Sequence, residues 1–112
     1  MKVNETNCPA EITLALIGGR WKIPIIFHLL AGRQRFSELS RSLKGVTQKM
    51  LTQQLREMER NGLVERKIYA QVPPKVEYSL TALGASLRPV VEAMCQWGET
   101  HAVKDKPRDA SL

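Results

Sequence analysis

The fold is decided by residues 36–62, FSELSRSLKGVTQKMLTQQLREMERNG, in which two helical patterns are separated by a tight turn. Ser37 suits the position before a helix and predicts a short one. Lys44-Gly45-Val46 predicts the turn, and Thr47 predicts the cap of a longer helix that ends at Asn61-Gly62. A short helix joined to a longer one by a glycine-containing turn is typical of a helix-turn-helix.

The segment that follows predicts a β-hairpin. Residues 63–72 alternate loosely as a strand, Pro73-Pro74 breaks it, and residues 76–80 alternate cleanly as the returning strand. A hairpin directly after the second helix predicts a winged helix-turn-helix, mainly α with a small β-hairpin.

Helices are predicted on both sides of this unit. Upstream, Pro9 begins a helix that stops at Gly18-Gly19, and a second helix runs from Trp21 to Gly32, with a short extended piece before Ser37. Downstream, Thr81 caps a last helix, in which Pro89 predicts a kink or a local break.

The chain has 112 residues, 43% of them hydrophobic and 25% charged, as expected for one soluble globular domain over residues 1–112. We expect a core of about residues 21–81, flanking dimerisation helices at about 9–17 and 82–101, and a frayed tail at 104–112. No apolar run approaches the ~20 residues of a membrane span, and the polar N-terminus does not resemble a signal peptide. Two distant cysteines do not form a secreted disulfide framework, so we expect a cytoplasmic protein without membrane contact.

The net charge of +6 lies entirely in the middle of the chain. Residues 32–75 carry ten basic and four acidic side chains, whereas residues 1–31 sum to +1 and residues 76–112 to −1. This asymmetry suggests that the middle segment contacts a polyanion. From charge alone, a merely solvated face explains it equally well.

The longer helix presents a face suited to DNA. Lys49, Thr52, Gln53 and Arg56 stand at i, i+3, i+4 and i+7, with no acid among them, and Leu51, Leu55 and Met58 form the buried stripe. Arginine, glutamine and threonine can contact base edges and phosphates. A plain surface helix more often mixes charges along one face, so this pattern favours DNA recognition.

The hairpin carries positive charge as well. Lys67 on its first strand and Lys75 beside the Pro73-Pro74 tip would face the DNA backbone or a minor groove. Lysines that protect an exposed edge strand are a common alternative.

The chain resembles the HxlR-type transcriptional regulators, a branch of the MarR-like winged-helix proteins. The resemblance rests on six pieces in the expected order: Cys8-Pro9, residues 19–22 (GRWK), 35–39 (RFSEL), 49–59 (KMLTQQLREME), 62–66 (GLVER), and 73–81 (PPKVEYSLT) with Gly84. It implies a homodimer on a pseudo-palindromic DNA operator, with residues 47–61 as the recognition helix and the hairpin as the wing. It also implies phosphate contacts from Ser37 and Arg41. The candidate DNA-binding residues are thus Ser37, Arg41, Thr47, Gln48, Lys49, Thr52, Gln53, Arg56, Lys67 and Lys75.

Dimerisation also follows from the flanking helices. They carry more apolar side chains than so small a core can cover, namely Ile12, Leu16, Val90, Val91, Met94 and Trp97. We expect these side chains to be buried by packing against a second copy of the chain.

Cys8 is a candidate redox-sensing residue. It precedes Pro9 at a helix start, where the helix dipole favours a thiolate, and several HxlR-type proteins use a cysteine at this place to sense oxidants or electrophiles. A packed, inert thiol at the dimer interface is the alternative. We expect Cys95 to pack near Trp97.

We expect no metal, cofactor or enzymatic activity. His28 and His101 lack partners at ligand spacing, and neither a phosphate loop nor a catalytic triad pattern is present. The sequence therefore indicates a cytoplasmic, dimeric repressor, with a small oxidant or electrophile as candidate inducer. Two alternatives stay open: a winged helix that docks an acidic protein, and a DNA-binding regulator controlled by a small ligand between the dimer helices.

Overall fold

The computed structural model describes residues 8–102, so the tail predicted at 104–112 lies outside the described residues. Its elements follow the chain as α1 Pro9–Ile17, α2 Lys22–Leu29, β1 Gln34–Arg35, α3 Phe36–Ser42, α4 Gln48–Arg60, β2 Val64–Tyr69, β3 Lys75–Leu80, α5 Ala82–Ala85 and α6 Arg88–His101. The predicted helix-turn-helix (α3 and α4) and the predicted hairpin (β2 and β3) are both confirmed.

Local capping explains the bounds of α4. The hydroxyl of Thr47 accepts a hydrogen bond from the backbone N–H of Met50 at 3.0 Å, which satisfies one of the free donors of the first turn. Gly62 follows the helix with φ of +77°, a conformation that favours glycine over other residues. Both ends of the recognition helix therefore lie where the sequence predicts them.

The start of α3 differs from the prediction. Arg35, rather than Ser37, occupies the capping position of α3. Its backbone N–H donates a hydrogen bond to the Glu38 carboxylate at 2.8 Å. The expectation that Ser37 caps this helix is wrong because Glu38 already satisfies the N–H of Arg35, as in a capping box. Ser37 lies instead inside the first turn and is exposed.

The wing belongs to a three-stranded sheet in the order β1-β3-β2. Both pairings are antiparallel, with Gln34 opposite Tyr78 and Tyr69 opposite Lys75. The extended piece expected before α3 therefore becomes a third strand, which the sequence did not predict. The first wing strand ends at Tyr69, earlier than the expected residue 72.

The core lies where α2, α3, α4 and the sheet meet. Its buried members are Ile17, Ile25, Ile26, Leu29, Leu39, Leu43, Leu51, Leu55, Met58, Leu63, Val64 and Val91. The predicted buried stripe of α4 is confirmed. Among the residues assigned to the dimer surface, Val91 is completely buried and therefore not available for it, because α6 packs against α2. Leu16 packs partly against the core and keeps part of its surface exposed.

The helix expected at 82–101 is two helices, α5 and α6. Thr81 caps the first, as predicted, with its hydroxyl accepting from the N–H of Gly84 at 3.0 Å. Pro89 lies in the first turn of α6, where no intrahelical partner is needed for a backbone N–H. In the interior of a helix its missing N–H would cost a hydrogen bond, and its ring would clash with a carbonyl of the preceding turn. The local break that Pro89 predicts is confirmed.

No single helix among the described residues is long and apolar enough to cross a membrane. Within the described residues, only α1 and α2 taken together have the length and composition of a membrane span, and the two helices are bent by 80° relative to each other.

Candidate nucleic-acid interface

The outward face of α4 is a continuous polar and basic surface, which we call the recognition face. An open groove of about 790 Å³ runs along it, lined by Gln48, Lys49, Thr52, Gln53, Arg56 and Arg60. The structure thus brings together all the candidate residues of this helix except Thr47, together with Arg60. None of the lining residues described is acidic, so the groove presents hydrogen-bonding groups in a positive field.

The two acids in the second half of α4 lie at opposite edges of the recognition face. Glu57 accepts a hydrogen bond from the Lys22 ammonium of α2 at 2.7 Å, and Glu59 lies 3.8 Å from Arg66 on the wing. The hydrogen bond and charge of Lys22 lower the pKa of Glu57 below its ordinary value. Both carboxylates are therefore paired outside the groove.

Thr47 and the two α3 candidates, Ser37 and Arg41, do not line the groove. Thr47 is exposed, and although its oxygen caps α4, its hydroxyl proton remains able to donate to a phosphate. Arg41 is also exposed. Ser37 lines a separate groove with the wing tip, including Pro73, Pro74 and Lys75. Ser37 and Lys75 are thus adjacent to each other rather than to the recognition face.

The wing lysines surround an aromatic ring. The ammonium groups of Lys67 and Lys75 lie 5.1 Å and 4.7 Å from the ring centre of Tyr69, within cation–π range. Lys75 also lies 3.5 Å from the carboxylate of Glu77, to which the Tyr69 hydroxyl donates at 2.9 Å. The Tyr69 hydrogen bond and the charges of Lys75 and Arg33 lower the pKa of Glu77. Lys75 is therefore partly neutralised, whereas Lys67 is exposed.

Sequence reasoning missed this wing cluster of Tyr69, Lys75, Glu77 and Arg33. Its signal was present in the hairpin, where Lys67 pairs with Glu77 and Tyr69 with Lys75. Directly opposite positions on two strands interact, and opposite charges there are favourable. The register needed to recognise those pairs depends on the turn, whose length the sequence underestimated because β2 was expected to continue to residue 72.

Comparison with known proteins agrees with this geometry. The family model for the HxlR-like helix-turn-helix matches residues 16–106. The chain belongs to the HxlR-like helix-turn-helix family. It is 51% identical over 98 residues to the HTH-type transcriptional regulator YybR of Bacillus subtilis (strain 168), covering 88% of this chain and 78% of that protein. It is therefore a DNA-binding helix-turn-helix transcriptional regulator, and the family and these relatives are regulators rather than enzymes.

Two solved structures of regulatory proteins are similar to this one. The redox regulator HypR in its reduced form has a TM-score of 0.83 at 50% identity, over 86% of this chain and 95% of that chain. The reduced form of the regulator YodB from Bacillus subtilis has a TM-score of 0.75 at 36% identity, over 88% of this chain and 97% of that chain. The winged helix-turn-helix architecture is thereby confirmed.

The thiols of this HxlR-like chain are both free and exposed. Cys8 occupies the capping position of α1, with Pro9 starting the helix, and its carbonyl accepts from the N–H of Glu11 at 2.8 Å. Cys95 lies on an exposed side of α6, a helix that buries only Val91, so within one subunit it does not belong to the core. Among the described residues, no group of three potential ligands could hold a metal ion.

An apolar surface remains uncovered on the flanking helices. On α6 it consists of Val90, Met94 and Trp97, which are 36%, 48% and 62% exposed, and on α1 it includes Leu14 at 61%. The indole of Trp97 stacks on His101 at 4.8 Å. We call Val90, Met94 and Trp97 the α6 apolar face.

Proposed function

We propose that this HxlR-like regulator is a cytoplasmic homodimer that represses transcription by binding a pseudo-palindromic DNA operator. The observation that carries the proposal is the recognition face of α4, a basic and amide-bearing groove whose neighbouring acids are paired elsewhere. An α-helix fits the major groove of B-DNA, where each base pair has its own pattern of donors and acceptors.

Within the proposed complex, the residues divide into two roles. Thr52, Gln53 and Arg56 lie in the middle of the recognition face and would contact base edges, arginine bonding to guanine and glutamine to adenine. The others would contact phosphates and fix the position of the protein, from both helices of the motif and from the wing. These positioning residues are Ser37, Arg41, Thr47, Gln48, Lys49, Lys67 and Lys75.

The α6 apolar face and Leu14 of α1 support the homodimer. Large apolar side chains exposed on helices are typical of an interface, and a two-fold arrangement buries the same patch on both subunits. The two copies of α4 would then lie about 34 Å apart, one turn of DNA.

The decisive experiment selects bound duplexes from a random pool at near-physiological salt under reducing conditions. We expect a two-fold symmetric motif with half-sites one helical turn apart, since each subunit would read one half-site. Binding without an enriched motif, which only weakens as salt rises, would contradict the proposal and favour docking of an acidic protein partner.

We further propose that thiol chemistry at Cys8 controls DNA binding. Cys8 is exposed at the capping position of α1, where an oxidant can reach its thiol, and the similar HypR is a redox regulator. Oxidant titration of the operator complex should release DNA from the wild type and not from Cys8→Ser. Cys95→Ser is the matched control, because Cys95 is equally free and exposed. Unchanged release from Cys8→Ser would exclude this thiol as the sensor.

A further inference from the structure

The segment Arg20-Trp21-Lys22 contacts α4 at one edge of the recognition face and also contacts the turn before that helix. The Arg20 guanidinium lies 4.6 Å above the Trp21 ring, and both side chains reach the turn before α4, within about 4.0 Å of the Cβ position at Gly45. Lys22 extends to Glu57, near the other end of α4. One short segment therefore contacts the turn that leads into α4 and the helix itself near its end.

Lys22 is the only charged residue that is buried among those described, with 8% of its surface exposed. An ammonium removed from water is strongly destabilising unless a charged partner hydrogen-bonds to it. Glu57 meets this need at 2.7 Å, across 35 positions of sequence. Because an unpaired ammonium is so unfavourable there, the position of Glu57 is restricted to where Lys22 can reach it.

The position of Glu57 determines how α4 is rotated about its own axis. Glu57 directly follows Arg56 and lies one turn beyond Gln53, so it forms the edge of the recognition face. A rotation of about 10° displaces a side-chain end that lies about 5–6 Å from the axis by about 1 Å. Hydrogen bonds to bases require distances of about 2.7–3.2 Å, so such a displacement breaks them.

The contact at the opposite edge of α4 is weaker. Glu59 and Arg66 are 3.8 Å apart, and their side chains are 36% and 45% exposed. Lys22 and Glu57 are only 2.7 Å apart, and although the Glu57 side chain is 44% exposed, that of Lys22 is only 10% exposed. Exposed pairs of this kind contribute little because water and salt screen them. Lys22 therefore supplies the firmer of the two ionic contacts that orient the helix.

We propose that Lys22 is a positioning residue for sequence-specific DNA binding, acting through Glu57 to fix the rotation of α4. The inference rests on the proposed reading of bases by α4. It assigns Lys22 to specificity, although Lys22 itself does not contact DNA. Phosphate contacts tolerate small rotations because they depend mainly on charge, so non-specific binding does not depend on this residue.

The test compares affinity for the selected operator with affinity for scrambled duplex in Lys22→Met and Arg88→Met. Arg88 is the matched control because it loses the same charge from an exposed ion pair, with Glu92 on α6. For Lys22→Met we expect the ratio of operator to scrambled affinity to fall by at least about tenfold, the equivalent of one lost base contact. For Arg88→Met we expect a change of less than about twofold.

A second variant separates positioning from stability. Lys22→Met/Glu57→Met keeps the net charge of the wild type, and because both partners are replaced it leaves no unpaired charge at the buried Lys22 position. We expect its thermal midpoint to be close to that of the wild type while the affinity ratio stays reduced. A folded double variant with a wild-type ratio would overturn the proposal, as would equal losses on both duplexes in Lys22→Met. If neither variant folds, Lys22 serves folding alone and the proposal is also overturned.

The two proposals fail in different ways. If the random pool yields no enriched duplex for the wild-type protein, the reading of bases by α4 is wrong. If it yields an operator that Lys22→Met binds with undiminished selectivity, only the role of Lys22 is wrong.

Discussion

Arg56 lies in the middle of the recognition face and is exposed, so its guanidinium can form two hydrogen bonds with one guanine. We predict that Arg56→Ala weakens operator binding by about 1–3 kcal/mol and relaxes the preference at one base pair, with little effect on random DNA. Lys49→Ala is the comparison, because loss of a phosphate contact should weaken binding to both duplexes alike. Titration of both duplexes with both variants measures this. Equal losses for Arg56→Ala would assign Arg56 to the phosphates.

The carboxylate of Glu57 gives a prediction about pH. Hydrogen bonding and charge from Lys22, with a smaller contribution from Arg60, hold the pKa of Glu57 below its ordinary value of 4.5, although desolvation acts in the opposite direction. A carboxyl whose pKa is lowered by folding stabilises the native state above its unfolded pKa and loses that contribution as pH falls through the folded pKa. The stabilisation should therefore be complete at neutral pH and disappear below about pH 4.5.

Urea unfolding of the wild type and Glu57→Gln measures this dependence. We expect the wild type to be more stable near neutral pH and the difference to narrow as the solution is acidified towards about pH 3. Glu77, whose pKa is also lowered, is present in both proteins and so cancels in the comparison. A difference that stays constant over this range would show that the charge of Glu57 does not act through Lys22.

At the scale of elements, the sequence predicts what short-range chemistry decides. Thr47 and Gly62 define α4 because a hydroxyl cap and a residue with positive φ act within one turn of the chain. Pro89 locates the break before α6 for the same reason. The sequence misplaced the start of α3 because Ser37 and Arg35 both lie where a capping residue could stand. Arg35 takes that position, and its backbone N–H donates a hydrogen bond to Glu38.

The features that the sequence did not predict depend on distant partners. Gln34 and Arg35 become a strand only because β3 offers its free edge. Likewise, the pairing of Lys22 with Glu57 crosses 35 positions, and no periodicity within either helix indicates it. The recognition face could be predicted because all its residues belong to one helix, whereas the contacts that orient that helix could not.

Gly84 on α5 provides an element-scale prediction. A Cβ at this position would overlap the carbonyl oxygen of Leu63, which also accepts from the N–H of Thr81 at 3.0 Å. We therefore expect Gly84→Ala to destabilise the fold by about 1–3 kcal/mol, because backbone rather than a flexible side chain must move. In Gly98→Ala the new Cβ meets nothing within 4 Å. Because alanine has the higher helix propensity, we expect this variant to be more stable than the wild type by at most about 1 kcal/mol. Thermal unfolding of both variants tests this, and two changes of the same sign would contradict it.

At the scale of the whole molecule, charge and apolar surface are separated. The positive excess lies within residues 32–75, which hold the helix-turn-helix and most of the wing, while the exposed apolar side chains of α1 and α6 lie outside that segment. One part of the chain is thus suited to DNA and another to a second copy. Joining two subunits makes the second half-site contact intramolecular, which raises the overall affinity without any new contact to DNA.

Dimerisation and operator binding should therefore fail together when the α6 apolar face is disrupted. We predict that Met94→Glu yields monomers in sedimentation equilibrium, since it would place a carboxylate without a partner in a desolvated interface. Its operator affinity should fall by about 100-fold or more, because each α4 then binds a half-site alone.

Gln96→Glu is the matched control, since it adds the same charge to an exposed position on another side of α6. Its helical position, two residues from Met94, points about 200° away, so it should remain dimeric and bind the operator normally. A Met94→Glu protein that stays dimeric would exclude this face as the interface. A monomeric Met94→Glu protein that retains full operator affinity would show that operator binding does not require dimerisation through the α6 apolar face, and this would contradict the proposed function.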